Sequence, residues 1–133
     1  EEEHELAVHL IGKALAVRPN QFAAHSNLGL AYAALERFEE AVASYDKALA
    51  LHADYPQALY NRGLALNKLG RFEASVLSYK KALALNPDYT EAHYNLGHAL
   101  YSLGRFEEAV QHYDRATLLH YGVFRLQPDD AGQ

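Results

Sequence analysis

The chain has 133 residues, half of them apolar, which is enough for one domain with a buried core and too apolar for a disordered segment. It carries 12 Lys and Arg against 17 Asp and Glu, so a nucleic-acid partner, which needs a basic face, is not expected. The absence of cysteine excludes disulfides, thiolate catalysis and cysteine zinc sites, and no apolar run is long enough to cross a membrane.

A repeat of 34 residues runs through the chain. Asn-x-Gly motifs place Gly29, Gly63 and Gly97 at that spacing, and their asparagines keep it too. Because five independent positions hold one period without a gap, the sequence predicts an array of similar units that bury their apolar faces by stacking. The other three series are Phe38, Phe72 and Phe106; Tyr45, Tyr79 and Tyr113; and Ala48, Ala82 and Ala116.

The repeated motif resembles the tetratricopeptide repeat, a unit of 34 residues in which a turn joins two helices. Arg62 and Ser75 depart from the family pattern, and the chain has no Trp, which weakens single positions only. The resemblance covers about residues 5–120 and implies an all-α fold, an α-solenoid wound as a right-handed superhelix. The matching residues are His25, Leu28, Gly29, Tyr32, Ala41 and Tyr45; Leu59, Gly63, Leu66, Tyr79 and Pro87; and His93, Leu96, Gly97, Leu100, Ala109 and Tyr113.

Residues 5–17 open the array. Ala7, Ile11, Ala14 and Pro19 fall where the family pattern has its alanine, aromatic residue, alanine and proline. They predict the second helix of a repeat whose first helix is missing. The chain has no Met and begins EEEHEL, without the features of a signal peptide, so we expect a piece of a longer protein or a processed form.

Three complete units are predicted next, at residues 22–55, 56–89 and 90–121. In the first of them, apolar residues at helical spacing predict helices over 23–35 and 39–51. The repeated glycines and small alanines are expected to let neighbouring helices approach closely.

The turn between the two helices of a unit carries a second glycine in two of the three units. Gly70 and Gly104 precede the arginine of the turn and predict left-handed helix C-caps. Glu36 holds the same position in the first unit, where we expect a strained or differently closed turn.

Residues 122–133 break the period and are predicted to form an irregular tail. Either the last helix continues toward Leu126 despite Gly122, or it ends near Tyr121 and the apolar residues of the tail fold back over it. Neither arrangement provides a polar capping helix, so exposed apolar ends would favour a homo-oligomer. The apolar tail residues are Val123, Phe124 and Leu126.

No catalytic site, metal site or cofactor is predicted. His93 and His98 are five residues apart, so their side chains diverge on a helix, and His25 and His93 hold positions where the repeat packs a ring. The paired glutamates that open the second helices suit a helix N-terminus, where negative charge is stabilising. With neither a phosphate loop nor a Gly-x-Ser-x-Gly motif, this stretch is predicted not to be an enzyme, although it could belong to a longer one.

The first helices of the units are the predicted binding surface. In the family, these helices line the concave side of the superhelix, and ligand peptides lie there. The tyrosines that the resemblance places in the groove offer large contact area with a polar tip. The candidate residues are Ser26, Asn27 and Leu30; Tyr60, Asn61, Leu64, Asn67 and Lys68; and Tyr94, Asn95, His98 and Tyr101.

The asparagines Asn27, Asn61 and Asn95 allow two interpretations. An amide offers one acceptor and two donors, so three of them one repeat apart could grip the backbone of an extended peptide. In this respect they resemble the asparagine ladder of O-linked N-acetylglucosamine transferases and their bacterial relatives, whose repeats these also resemble and whose ladder holds client polypeptides. The alternative is a hydrogen bond between adjacent helices.

The predicted function is therefore protein–protein interaction, with a protein or extended peptide held in the concave groove. The alternatives are substrate recruitment within a glycosyltransferase of that kind and a self-assembling scaffold that uses the uncapped ends. The chaperone-binding members of the family need Lys and Asn where this chain has Ser26 and Leu30, so no clamp for a chaperone C-terminal carboxylate is expected. A cytoplasmic location is expected from the absence of a signal peptide.

Overall fold

The computed structural model describes residues 1–122, and within that range the chain forms seven helices and no strand. The all-α fold is confirmed, and the helices predicted over 23–35 and 39–51 are found within one residue of those bounds. The seven helices are α1 (Glu2–Val17), α2 (Phe22–Ala34), α3 (Phe38–Leu51), α4 (Pro56–Lys68), α5 (Phe72–Leu85), α6 (Thr90–Ser102) and α7 (Phe106–Tyr121).

An aromatic ring seated on a glycine joins the two helices of each pair. A Cβ placed on Gly63 would lie 2.5 Å from Cε1 of Tyr79, and one on Gly29 would lie 2.5 Å from Cε1 of Tyr45. Both rings are almost fully buried, at 0% and 1% exposure. The predicted close approach is confirmed, and its partner is the tyrosine sixteen residues further along the same unit.

The turns within the three pairs close in the same way. Gly70 adopts φ +75° and donates its N–H to the Asn67 carbonyl, while Arg71 donates to the Leu66 carbonyl at 2.9 Å. This pair of bonds satisfies helix carbonyls that would otherwise lack a partner. Glu36 makes the equivalent bonds with φ +59°, so the predicted strain is confirmed and the closure does not differ.

Ser75, which departs from the family alanine, is buried and finds an acceptor. Its hydroxyl donates to the Gly63 carbonyl at 3.1 Å, and Ser78 donates to the Leu59 carbonyl at 2.6 Å. Both serines lie on α5 and both acceptors lie on α4, so these bonds tie the helices of one pair together. A buried hydroxyl is tolerated because its hydrogen bond offsets the cost of leaving water.

The stacking of the pairs is tighter on one side of the array. Cα atoms of α2 come within 8 Å of α4, and those of α4 within 8 Å of α6. Among the described helices, α3 and α5 do not approach so closely, and neither do α5 and α7. The first helices of the pairs therefore lie on the inner side of a curved solenoid, and the second helices lie on the outer side.

The last helix ends at Tyr121. Gly122 follows with φ +89° and donates its N–H to the Leu118 carbonyl at 3.1 Å. Of the two predicted arrangements, the helix that continues toward Leu126 is therefore wrong. The predicted folding back of Val123 and Phe124 concerns residues outside the described range.

The contact of the tyrosine ring with glycine predicts opposite effects of two glycine substitutions on the free energy of unfolding. Gly63→Ala should lower the free energy of unfolding by about 1–3 kcal/mol, because the new methyl group overlaps the Tyr79 ring. Gly12→Ala is the control: nothing lies within 4 Å of a Cβ placed at that position, so it should raise stability by about 0.5–1 kcal/mol. Urea denaturation followed by circular dichroism measures both, and equal effects would contradict the packing argument.

The strained first turn predicts a stabilising substitution. Glu36→Gly should raise the free energy of unfolding by about 1 kcal/mol, because glycine adopts the left-handed conformation without the steric cost that Glu36 bears. Gly70→Ala should have the opposite sign and similar size. Thermal melts of the three proteins test this, and a Glu36→Gly variant that melts below the parent chain would refute it.

Candidate functional site

A pocket lies on the inner side of the solenoid between α4 and α6. Its volume is about 270 Å³. Six of its seven lining residues are candidates that the sequence placed in the groove, so residues from two units are brought together there. The lining residues are Leu64, Asn67, Lys68, Phe72, Tyr94, Asn95 and His98.

Three large candidate side chains on this side are exposed. Tyr94 is 56% exposed and Tyr101 is 59% exposed, and Leu30 is 46% exposed on α2. The Tyr101 ring packs on Phe106 with centroids 4.9 Å apart, which fixes one edge of the ring and leaves the other edge free. These side chains provide apolar contact area along the inner face.

Ser26, in contrast, is only 3% exposed. Its side chain lies inside the packed array and does not reach the surface of the groove. The sequence pattern predicts Ser26 and Asn27 side by side in the groove, but in the structure only Asn27 is exposed.

The three equivalent asparagines differ in the hydrogen bonds that their side chains make. Asn95 Nδ2 donates to the Tyr60 hydroxyl at 3.0 Å and to the Glu91 carbonyl at 2.9 Å, so both amide hydrogens have partners. The Tyr60 bond crosses from α6 to α4, which is the interhelix bond of the second interpretation. Within residues 1–122, the side chains of Asn27 and Asn61 make no hydrogen bond.

The phenol of Tyr60 is held neutral beside Asn95. Burial raises the pKa of Tyr60, and the nearby Glu91 carboxylate raises it further, while the bond from Asn95 acts in the opposite direction. The ring contacts Tyr89 with centroids 4.9 Å apart, and burial raises the pKa of Tyr89 to about 12. Both hydroxyls are therefore uncharged at neutral pH and act only through hydrogen bonds.

Asn67 lines the pocket and has a buried amide oxygen. Its Oδ1 atom is buried and has no hydrogen-bond partner among the described residues. Lys68 beside it is exposed and makes no ion pair in that range. Buried polar atoms are nearly always paired in folded proteins, so an unpaired buried amide oxygen is unusual.

A second pocket lies at the C-terminal end of the array between α6 and α7. Its volume is about 310 Å³, and Tyr94 and Asn95 line it as well as the first pocket. The exposed Tyr94 ring therefore separates two adjoining depressions. The remaining lining residues are Thr90, Glu91, Ala116, Thr117, His120 and Tyr121.

The buried histidines connect successive units. His25 Nε2 lies 2.7 Å from the Pro19 carbonyl, and His93 Nε2 lies 2.8 Å from the Pro87 carbonyl. His93 Nδ1 also lies 3.1 Å from Nδ1 of His112. Both roles are structural, as the packing interpretation predicts. Residues 1–122 contain no cluster of three or more His, Cys, Asp or Glu side chains that could hold a metal ion.

These features define the class of the protein: a helical-repeat solenoid whose inner side is lined by the first helix of each repeat. A family model described as "TPR repeat" matches residues 31–70 and 64–104, and one described as "Tetratricopeptide repeat" matches residues 90–120. The chain belongs to the tetratricopeptide repeat family. In the described range no helix has the length and hydrophobicity needed to span a membrane.

Solved structures of MamA share this fold. A crystal structure of MamA superposes with a TM-score of 0.83 at 23% identity, over 86% of this chain and 67% of that one. MamA AMB-1 in crystal form P212121 gives 0.80 at 30% identity, over 86% and 63% of the two chains. MamA MSR-1 in form C2 gives 0.80 at 26% identity, over 90% and 68%. The chain thus spans about two thirds of their length, and less in the second case. No curated protein matches the chain.

The contact between His93 and His112 predicts a pH-dependent stability. Burial lowers the pKa of His112, as do the nearby His93 and Lys80, whereas Glu108 raises it. The folded state therefore binds fewer protons than the unfolded state, so the stabilisation is complete above the ordinary pKa of 6.5 and is lost as the pH falls below it.

The measurement is urea denaturation between about pH 8 and about pH 5. His112→Ser places there the residue that the other two units have, Ser44 and Ser78, and should flatten the decline in stability toward low pH. His9→Gln, at an exposed position on α1, is the control. A decline of equal steepness in the His112→Ser variant would rule out this histidine pair as its source.

Proposed function

We propose that this chain is a non-catalytic interaction module that holds an extended peptide along the inner side of α2, α4 and α6. The observation that carries this proposal is the pocket between α4 and α6, where candidate residues of two successive repeats meet around an open space. An extended strand laid across the first helices would pass from one repeat to the next and meet equivalent side chains at each step.

The free amides of Asn27 and Asn61 would hold the peptide backbone. Each amide can accept from a peptide N–H and donate to a peptide C=O, and neither side chain has another partner among the described residues. Backbone contacts of this kind do not depend on the ligand's sequence. Asn95 would contribute less, because its two hydrogens already bond to Tyr60 and the Glu91 carbonyl.

The aromatic and charged residues of the groove would set its preference. Tyr94 and Tyr101 offer exposed ring faces for apolar or aromatic side chains. Lys68 and Glu91 carry opposite charges near the two pockets, which favours a peptide of mixed character over a strongly acidic or basic one. A clamp for a terminal carboxylate is not part of this proposal.

A second candidate function is client recruitment within a longer glycosyltransferase. The free amides of Asn27 and Asn61 favour it, because a sequence-independent grip suits an enzyme with many clients. The comparisons give it no separate support. A glycosyltransferase domain in the same gene would distinguish it from a self-standing interaction module.

The amide proposal predicts a separation between binding and stability. The probe is fluorescein-labelled, reduced and carboxymethylated α-lactalbumin, an unfolded polypeptide that presents free backbone. Asn27→Ala with Asn61→Ala should weaken its binding about tenfold or more in fluorescence polarisation while the melting temperature stays nearly constant, because neither amide bonds to the protein itself. Asn95→Ala should lower stability by about 1 kcal/mol through loss of its bond to Tyr60.

The control is Asn20→Ala, which removes an exposed amide from the turn between α1 and α2. It should alter neither binding nor melting. Unchanged binding in the double variant would exclude the amide grip, and a loss of binding in Asn20→Ala of similar size would show that the effect is not specific to the groove.

A further inference from the structure

A cavity on the outer side of the solenoid, between α3 and α5, is larger than the two pockets of the candidate site. This outer furrow has a volume of about 630 Å³ and is lined mainly by leucines and alanines. It faces away from the groove of the proposed function, since α3 and α5 are second helices of their units. The lining residues are Asp46, Leu49, Ala53, Asp54, Leu59, Arg62, Ala74, Leu77, Ser78, Lys81, Ala84 and Leu85.

The neighbouring furrow between α5 and α7 is bridged by polar contacts. Lys80 Nζ lies 3.6 Å from a Glu108 carboxylate oxygen, and Arg115 lies 3.3 Å from Asp88. At the positions equivalent to Leu59 and Ser78 of the outer furrow, the rings of His93 on α6 and His112 on α7 stack with centroids 5.3 Å apart. One repeat unit further along the chain, the equivalent space is thus crossed by several side chains, whereas the outer furrow keeps an open cavity beside the ion pair of Arg62 Nε with Asp46, at 2.6 Å.

The residues of the outer furrow at the equivalent positions cannot form these bridges. Ala74 stands where the next unit has Glu108, and Leu59 stands where it has His93. Ala53 likewise replaces the proline found at 19 and 87. Three separate departures from the repeat therefore line one space, and two of them replace a polar side chain by an apolar one.

A protruding apolar side chain accompanies the cavity. Leu77 on α5 is 63% exposed, although the equivalent residues in the other units are Ala43 and Gln111. Leu85, two turns further along the same helix, is 42% exposed. The same surface thus carries both apolar side chains that project from it and an apolar depression that could receive them.

Two opposite charges at the outer furrow remain unpaired. Asp88 and Arg115 form an ion pair, but their equivalents one repeat earlier, Asp54 and Lys81, form none within residues 1–122. One negative and one positive group are therefore available to a molecule that lies on this surface. A two-fold axis between them would bring each group against its opposite on a second copy.

We propose that the outer furrow binds the outer furrow of a second copy of this chain, giving a two-fold symmetric dimer. An interface of this symmetry needs one patch that complements itself, in shape and in charge. Leu77 of each copy enters the furrow of the other copy, and Lys81 of each copy faces Asp54 of the other. The inner grooves then point away from each other, so both peptide sites of the proposed function stay open in the dimer.

The test measures the mass of the full chain by sedimentation velocity over a range of concentrations. The parent chain should dimerise, and Leu77→Lys should raise the dissociation constant at least about tenfold without loss of helicity, because Leu77 is exposed in the monomer. Val110→Lys is the control, at a residue of α7 with 55% exposure that lies outside the outer furrow. It should leave the dimer intact.

Charge reversal tests the symmetry itself. Asp54→Lys and Lys81→Asp should each weaken the dimer of identical chains, because each brings like charges together. A mixture of the two variants should form the mixed dimer, since every Lys then faces an Asp. A monomeric parent chain would overturn the proposal, as would a dimer that survives Leu77→Lys and is lost with Val110→Lys. The latter result would place the contact at the end of the array.

Discussion

The seat of one tyrosine ring on one glycine governs the architecture of this protein. Each ring lies on the backbone of the preceding helix, which only a residue without a side chain permits, and this contact fixes the distance between paired helices. A ring of this kind buries roughly 150–250 Å² of surface, most of it apolar. Tyr113 is less buried than Tyr45 and Tyr79, because no described helix follows its unit. The core of each unit is thus completed by side chains of the unit that follows it.

This dependence explains why the sequence predicts the fold well and the surface less well. The period, the helices and the left-handed turns follow from residues close together in the chain, so Gly70 and Gly104 could be interpreted directly. Even the strain at Glu36 follows from its register with those glycines. The burial of Ser26 does not follow from the sequence. The repeat pattern shows which face of a helix a residue lies on, but not how deeply the neighbouring units bury it. The sequence does not predict the outer furrow for the same reason. Single departures from the repeat produce it, and their significance is evident only when the structure places three of them around one space.

The two sides of the solenoid therefore differ in how freely they can change. Positions at the interface of the helix pairs are held by the ring-on-glycine contact, and substitutions there would disturb every neighbouring unit. Positions on the outer side between second helices are held by no backbone approach, since those helices stay apart. Ala74 on α5 could consequently replace the glutamate of the other two units without loss of the stack. Because the outer surface tolerates such substitutions, it can acquire a binding surface of its own while the inner groove stays unchanged.

The three asparagines show how a repeat array gives one side chain several roles. Asn95 bonds to the residue 35 positions earlier, which is Tyr60, and its amide is thereby occupied. The residue 35 positions before Asn61 is Ser26, whose short side chain makes no such bond among the described residues. The amide of Asn61 is therefore free because of a substitution on another helix, and not because of its own position in the repeat. For a longer array of this type, we expect a tyrosine 35 places before the asparagine of an Asn-x-Gly motif to mark an asparagine that bonds to its own protein. A small residue at that place should mark an asparagine whose amide has no such bond.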